Sequence, residues 1–133
     1  NLALRKTCRL INQFYQQRIS PTGLKIGQFS ILRATFFCKE TNNKQLQRIL
    51  VLNQTTLSRN LKPLIRDGLL KLRAKQDDKR VKIISLSEAG MQVYLQTVPL
   101  WEQAQRELDM KIGEQGINGI MQLTEVVFKK LTA

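Results

Sequence analysis

Histidine is absent from this 133-residue chain. That removes the commonest general base near neutral pH and the commonest transition-metal ligand. Cysteine is scarce: Cys8 and Cys38 stand far apart, too few for a disulfide framework, and without histidine they do not compose a zinc site. No glycine-rich phosphate loop occurs, and the 10 carboxylates are scattered. An enzyme is therefore not expected: no catalytic residue, no metal site and no cofactor can be named. Aromatic residues make up 6% of the chain, thin for a protein that stacks single-stranded bases. No apolar run approaches the roughly 18–20 residues that span a bilayer, and no signal-peptide pattern opens the chain. The expectation is a cytoplasmic protein with reduced thiols and no membrane partner.

Positive charge is what the chain has in excess. Lys and Arg number 22 against 10 Asp and Glu, a net charge of +12 with a pI near 10.2. Such a balance implies a polyanionic partner. Residues 39–85 hold 12 of the 22 basic residues and 4 of the 10 acidic ones, so the excess sits on a folded segment and not on a tail. The length suits a single domain spanning residues 1–133, and the 42% apolar fraction is ordinary for a globular protein.

Helical periodicity dominates the pattern. Leu4, Cys8, Ile11 and Tyr15 predict an amphipathic helix over about 2–18, closed by Ser20-Pro21-Thr22-Gly23. A helix over 26–38 is apolar on two faces (Phe29, Leu32 and Phe36; Ile31, Thr35 and Cys38) and reads as a central core helix. Asn43 is the expected cap of a short helix over 44–50, and Asn53 that of the next. The latter turns Leu57, Leu61, Leu64 and Ile65 inward and Gln54, Thr55, Ser58, Arg59 and Lys62 outward. Pro63 should bend it, and Gly68 should supply the positive φ that ends it. Two strands follow, with Leu70, Leu72 and Ala74 alternating with Lys71, Arg73 and Lys75, then residues 81–86; Gln76 to Lys79 forms the tip. A long helix over about 89–111 contains Pro99, and a last one carries the stripe Ile117, Ile120, Met121, Thr124, Val127, Phe128 and Leu131.

A polar helix running into a basic hairpin is the layout of a winged helix-turn-helix. The fold class expected is mainly α with a small β-hairpin wing. On the helix, Arg59 has the two parallel donors that suit guanine O6 and N7. Thr55 and Thr56 lie in the first turn, where hydroxyls and unpaired N–H groups suit a phosphate or a base edge. Ser58 and Lys62 complete that face. On the hairpin, Arg73, Lys75, Lys79 and Lys82 read as phosphate attraction. Asp78 is two residues from Arg80, close enough for an ion pair that sets the Arg80 side chain.

Three segments also carry a resemblance over nearly the whole chain: GLKIGQFSILRA at 23–34, TTLSRNLKPLIRDGLL at 55–70, and Asp78-Lys79-Arg80 leading into ISLSEAG at 84–90. With them the chain resembles the MarR family of bacterial transcription regulators. The resemblance implies a homodimer held by dimerisation helices at 1–22 and 100–133, around a DNA-binding lobe at 24–90. It implies a repressor that sets one recognition helix per protomer in a major groove of a palindromic operator, with the wing, led by Arg80, in the flanking minor groove. Release by a small aromatic or phenolic effector follows from the same likeness, with Phe14, Tyr15, Phe36, Phe37, Tyr94 and Trp101 either lining its pocket or forming plain core. Two departures stand out: Gln47, where family members carry a small residue, should crowd the helix crossing unless it swings outward, and Val51 occupies a turn that favours glycine.

Alternatives stay open at this level. Cys8, in the first helix beside Arg5, Lys6 and Arg9, is the position where some family members sense oxidants, yet it falls on an apolar stripe where a packed, inert thiol is the commoner outcome. An architectural protein bound to nucleic acid by charge alone, or a relative that has lost DNA reading, are the other two.

Overall fold

The structure is a computed structural model and describes residues 1–132. Helix α1 (Leu2–Ile19) starts where the Asn1 side chain accepts the Leu4 N–H at 3.3 Å. It runs into a 3₁₀ turn at Ser20–Thr22, ended by Gly23 at φ +81°. Helix α2 (Ile26–Cys38) is the centre of the fold, with Phe29, Ile31, Leu32, Ala34 and Thr35 buried. The one hydroxyl in that group is satisfied within the helix, as Thr35 Oγ1 donates to the Ile31 carbonyl at 2.8 Å.

At the end of α2 the chain reverses through Lys39, held at φ 65°, ψ −57° while Glu40 N–H bonds the Cys38 carbonyl at 2.8 Å. This is a γ-turn of the rarer, strained hand, on a residue with a Cβ. Thr41 is buried and exchanges both backbone hydrogen bonds with Ile84, at 2.9 and 2.7 Å, adding one rung to the hairpin. Helix α3 (Asn43–Leu50) is capped by Asn42, whose side chain accepts the Gln45 N–H; this corrects the expectation of Asn43, which is already helical.

Helix α4 (Gln54–Arg66) is capped by Asn53 and buries Leu57, Leu61 and Leu64, while Ile65 is left exposed at its edge. Pro63 sits inside α4 and Pro99 inside α5 (Glu88–Ile112), and each helix is continuous through its proline. Gly68, at φ +74°, ends α4 as expected, with Leu69 N–H reaching back to the Leu64 carbonyl at 2.9 Å.

Strands β1 (Leu70–Ala74) and β2 (Lys82–Leu86) pair antiparallel, Leu72 opposite Ile84. Ser87 fastens the hairpin to α5. Its N–H bonds the Leu69 carbonyl, its hydroxyl donates to the Gly68 carbonyl, and its oxygen accepts the Gly90 N–H. Gly90 is required there, since a Cβ would lie 1.9 Å from the Leu69 carbonyl oxygen.

The aromatic residues pack on one another. Phe29 lies 5.7 Å from Tyr94 and 5.6 Å from Trp101, and Phe36 lies 4.8 Å from Tyr94, between ring centroids. The Arg33 guanidinium sits over Trp101 and donates to the Tyr94 hydroxyl at 3.3 Å. Arg18 stacks on Phe14 and pairs with Glu107 at 2.9 Å, tying α1 to α5. Burial, helped by the Asp109 charge, pushes the Tyr15 hydroxyl above its ordinary pKa.

Helix α6 (Glu114–Leu131) packs against α5 and buries none of its side chains. Helix α5 runs from the end of the wing to Ile112 as one helix, close to the 89–111 read from the sequence. Among the described residues no helix is long and apolar enough to cross a membrane.

Candidate nucleic-acid interface

The sequence pattern of α4 splits it into two faces, and the structure keeps them apart. Leu57, Leu61 and Leu64 hold it against the core, so Thr55, Arg59 and Lys62 project into solvent. Among the described residues no carboxylate lies within 4 Å of Arg59 or Lys62, so both charges are available to an anion. Of the two threonines, Thr55 is exposed. Thr56 is half-buried and committed to the helix, its N–H bonded to Asn53 and its carbonyl accepting from Asn60.

Gln47 does not crowd the crossing of α3 and α4. Its side chain swings outward and donates to Gln54 Oε1 at 2.6 Å, and Gln54 Nε2 donates in turn to Ser58 Oγ at 2.9 Å. The two helices are bridged by a chain of side-chain hydrogen bonds on the outer surface. Periodicity marks Gln54 as outward-facing, but a bond from Gln47 depends on how the helices cross, which spacing along the sequence does not encode. Val51 takes the left-handed conformation of the turn, φ 52°, ψ 50°, despite its branched side chain. Leu52 N–H reaches back to the Gln47 carbonyl at 3.0 Å, so the turn is closed by hydrogen bonds that hold the strained residue in place.

The wing carries its cations in two states. Asp78 forms the expected ion pair with Arg80, at 3.1 Å to Nε, and also accepts the Arg80 backbone N–H at 3.1 Å. The Arg80 side chain holds the Asp78 carboxyl below the usual carboxylate range, its backbone N–H adding to the effect and Lys75 contributing a smaller attraction. Arg80 nonetheless remains almost wholly in solvent, 92% exposed at its side chain. Lys75, Lys79 and Lys82 are exposed. Arg73 differs: it pairs with Glu40 at 2.8 Å, clamping the wing to the loop after α2. Its charge is partly answered within the chain.

A notch between the wing and the start of α3 gathers Lys44, Lys75, Arg80 and Lys82. Lys44 is missing from the site read in the sequence, because its position beside the wing follows from the Thr41–Ile84 bridge. Cys8 lies well away in the fold, on α1. It is exposed in the single chain, on the stripe that also carries Leu4. Cys38 is half-buried at the end of α2.

Known proteins share this arrangement. The family described as transcriptional regulator SarA/Rot matches residues 13–96. The HTH-type transcriptional regulator Hpr of a Geobacillus species is 29% identical over 119 residues, which cover 90% of this chain and 55% of that protein. Hpr of Geobacillus thermodenitrificans is 30% identical over 92 residues, 69% of this chain and 46% of its own. The chain thus spans about half the length of the curated relatives it matches. Among solved structures, the M. tuberculosis transcriptional regulator MosR in complex with DNA is similar with a TM-score of 0.78 and 30% identity, over 94% of this chain and 95% of that one. A MarR mutant from E. coli complexed with operator DNA shares the fold with a TM-score of 0.84 at 18% identity, over 94% and 90% of the two chains. The matched segment holds α2 to α4, the wing and the Ser87–Gly90 junction, and the chain, which shares the fold of MarR, belongs to the SarA/Rot family of transcriptional regulators, not enzymes.

Proposed function

We propose that the chain acts as a homodimeric, sequence-specific reader of double-stranded DNA, a repressor that binds a palindromic operator and leaves it on binding a small molecule. The observation that carries the DNA reading is the outer face of α4, with Thr55, Arg59 and Lys62 exposed beside a wing bearing Lys75, Lys79, Arg80 and Lys82. In this reading α4 lies in the major groove, and Arg59 engages guanine. Arg80, oriented by Asp78, enters the narrow minor groove, where negative potential is concentrated. Support for the dimer comes from the apolar surface that α1 and α6 leave open, for such patches are uncommon on monomers. Two protomers place two recognition helices, which is why the operator should be an inverted repeat.

Competition binding tests this. A specific regulator prefers its site over random duplex by ~10³-fold or more, whereas an architectural protein held by charge shows no such preference. Two triggers are compatible with the reading. A small aromatic or phenolic effector is the first reading, and oxidation of Cys8, a free thiol on α1, is the second. If Cys8→Ser protein stays on its operator under peroxide while the wild type leaves, the thiol route is the correct one.

A further inference from the structure

The Gln54 amide is held at both ends. Its Oε1 accepts from Gln47 Nε2 at 2.6 Å, and its Nε2 donates to Ser58 Oγ at 2.9 Å. Gln54 is the first residue of α4 and is exposed, while Gln47 on α3 and Ser58 one turn along α4 are half-buried. A carboxamide has two acceptor lone pairs and two donor hydrogens. The two bonds engage one of each. One donor and one acceptor remain, on a side chain whose rotamer is already set.

We propose that Gln54 reads adenine in an A·T pair from the major groove, and that Gln47 is the residue that positions it. The inference rests on the DNA-reading function proposed above and adds a named base to it. Adenine offers one acceptor, N7, and one donor, the N6 amino group, the complement of what Gln54 has left. Guanine offers two acceptors there, N7 and O6, and a single remaining donor cannot satisfy both. Thymine and cytosine each present one hydrogen-bonding group, so either would leave half of the amide unpaired. Arg59 has the opposite inventory, donors without acceptors, and suits guanine. Residues at the start of a recognition helix are the ones that reach base edges, which is where Gln54 stands. Gln47 contributes by fixing the amide before DNA arrives, so that less rotamer freedom is lost on binding.

The test is selection from a duplex pool with randomised half-sites, followed by sequencing of the bound fraction, for wild type, Gln54→Ala and Gln47→Met. Methionine keeps the length of Gln47 and removes its donor. Wild type should enrich adenine about tenfold at one position of each half-site. Gln54→Ala should flatten that position and leave the Arg59-dependent guanine preference in place. Gln47→Met should cut the adenine preference by about threefold, with thermal midpoint and random-duplex affinity unchanged. If Gln54→Ala kept every base preference and lost affinity uniformly, the amide would be a phosphate contact and the proposal would fall. Wild-type adenine selection by Gln47→Met would overturn the positioning role. Absence of any base preference in the wild type would instead sink the DNA-reading function itself, a result distinct from either.

Discussion

In the lobe from Leu24 to Gly90, apolar residues at helical spacing find neighbours. Phe29, Leu46, Leu57 and Leu64 are all buried, and the hairpin adds Leu70 and Ile84 to the same core. In α6, which touches α5 at its start, the same kind of spacing buries nothing. Met121 is 65% exposed, Phe128 57% and Leu131 78%, and residues 1–10 are exposed throughout. Both regions have the sequence of a protein interior, and only one of them has an interior. The lobe is a finished unit, and the terminal helices leave apolar faces uncovered.

The largest effect should come from breaking the finished unit at its tightest point. Gly90→Ala drives a methyl group into the Leu69 carbonyl, and overpacking against backbone with no room to move should cost about 3 kcal/mol or more. Denaturant unfolding measures it; a wild-type midpoint would mean that α5 does not approach Leu69 as closely as described. Next is the unfinished region. Phe128→Asp places a charge on the α6 stripe, and if that stripe is a dimer core, association should weaken by ~2 kcal/mol or more while far-UV circular dichroism stays close to wild type. Unchanged mass would remove α6 from the interface.

A smaller change should strengthen the lobe. Val51 is held in the left-handed region, which costs a residue with a Cβ roughly 1–2 kcal/mol. Val51→Gly relieves that strain at some expense in unfolded-chain entropy, for a net gain of about 1 kcal/mol or less. A loss of stability would show that no strain is stored there.

The wing should be the least sensitive. Arg80→Ala should lower the preference for A·T-rich flanks in both protomers, and Lys79→Ala should make the log–log salt dependence shallower by about 0.9 per phosphate released, without changing that preference. Equal flank preference in Arg80→Ala and wild type would reduce the wing to an electrostatic arm. The Asp78–Arg80 pair gives this element a pH signature. The folded carboxyl is held below the ordinary aspartate value of about 3.9, so the pair's contribution is complete above that pH and is lost as pH falls through the depressed value. The Arg80 Nε–H resonance should therefore hold steady from about pH 8 to pH 5 and move only in stronger acid.

What could be read in advance was whatever depends on a residue and its near neighbours. The core face of α4, the Gly68 helix stop, the placement of the wing and the Asp78–Arg80 pair are all of that kind. The cap of α3 was misplaced by one position because Asn42 and Asn43 are equally good caps, and the Thr41–Ile84 bridge decides between them. Other features arise where distant segments meet. Gln47 is a misfit in the sequence until the helix crossing turns it into a donor to Gln54, and the pairing of Arg73 with Glu40 has no local signal. The γ-turn at Lys39 had no signal, since nothing about lysine favours positive φ. For Cys8 and α6 alike, a stripe shows that a face is apolar, not that the same chain covers it.

Sedimentation equilibrium at micromolar concentration is the most direct test of the contrast between lobe and terminal helices. If α1 and α6 are half of an interior completed by a second copy, the mass should be twice that of the 15.4 kDa chain, with no monomer detected. A single species at 15.4 kDa would contradict this: the exposed stripes would then belong to a stable monomer, and the two-helix reading of an inverted repeat would go with them.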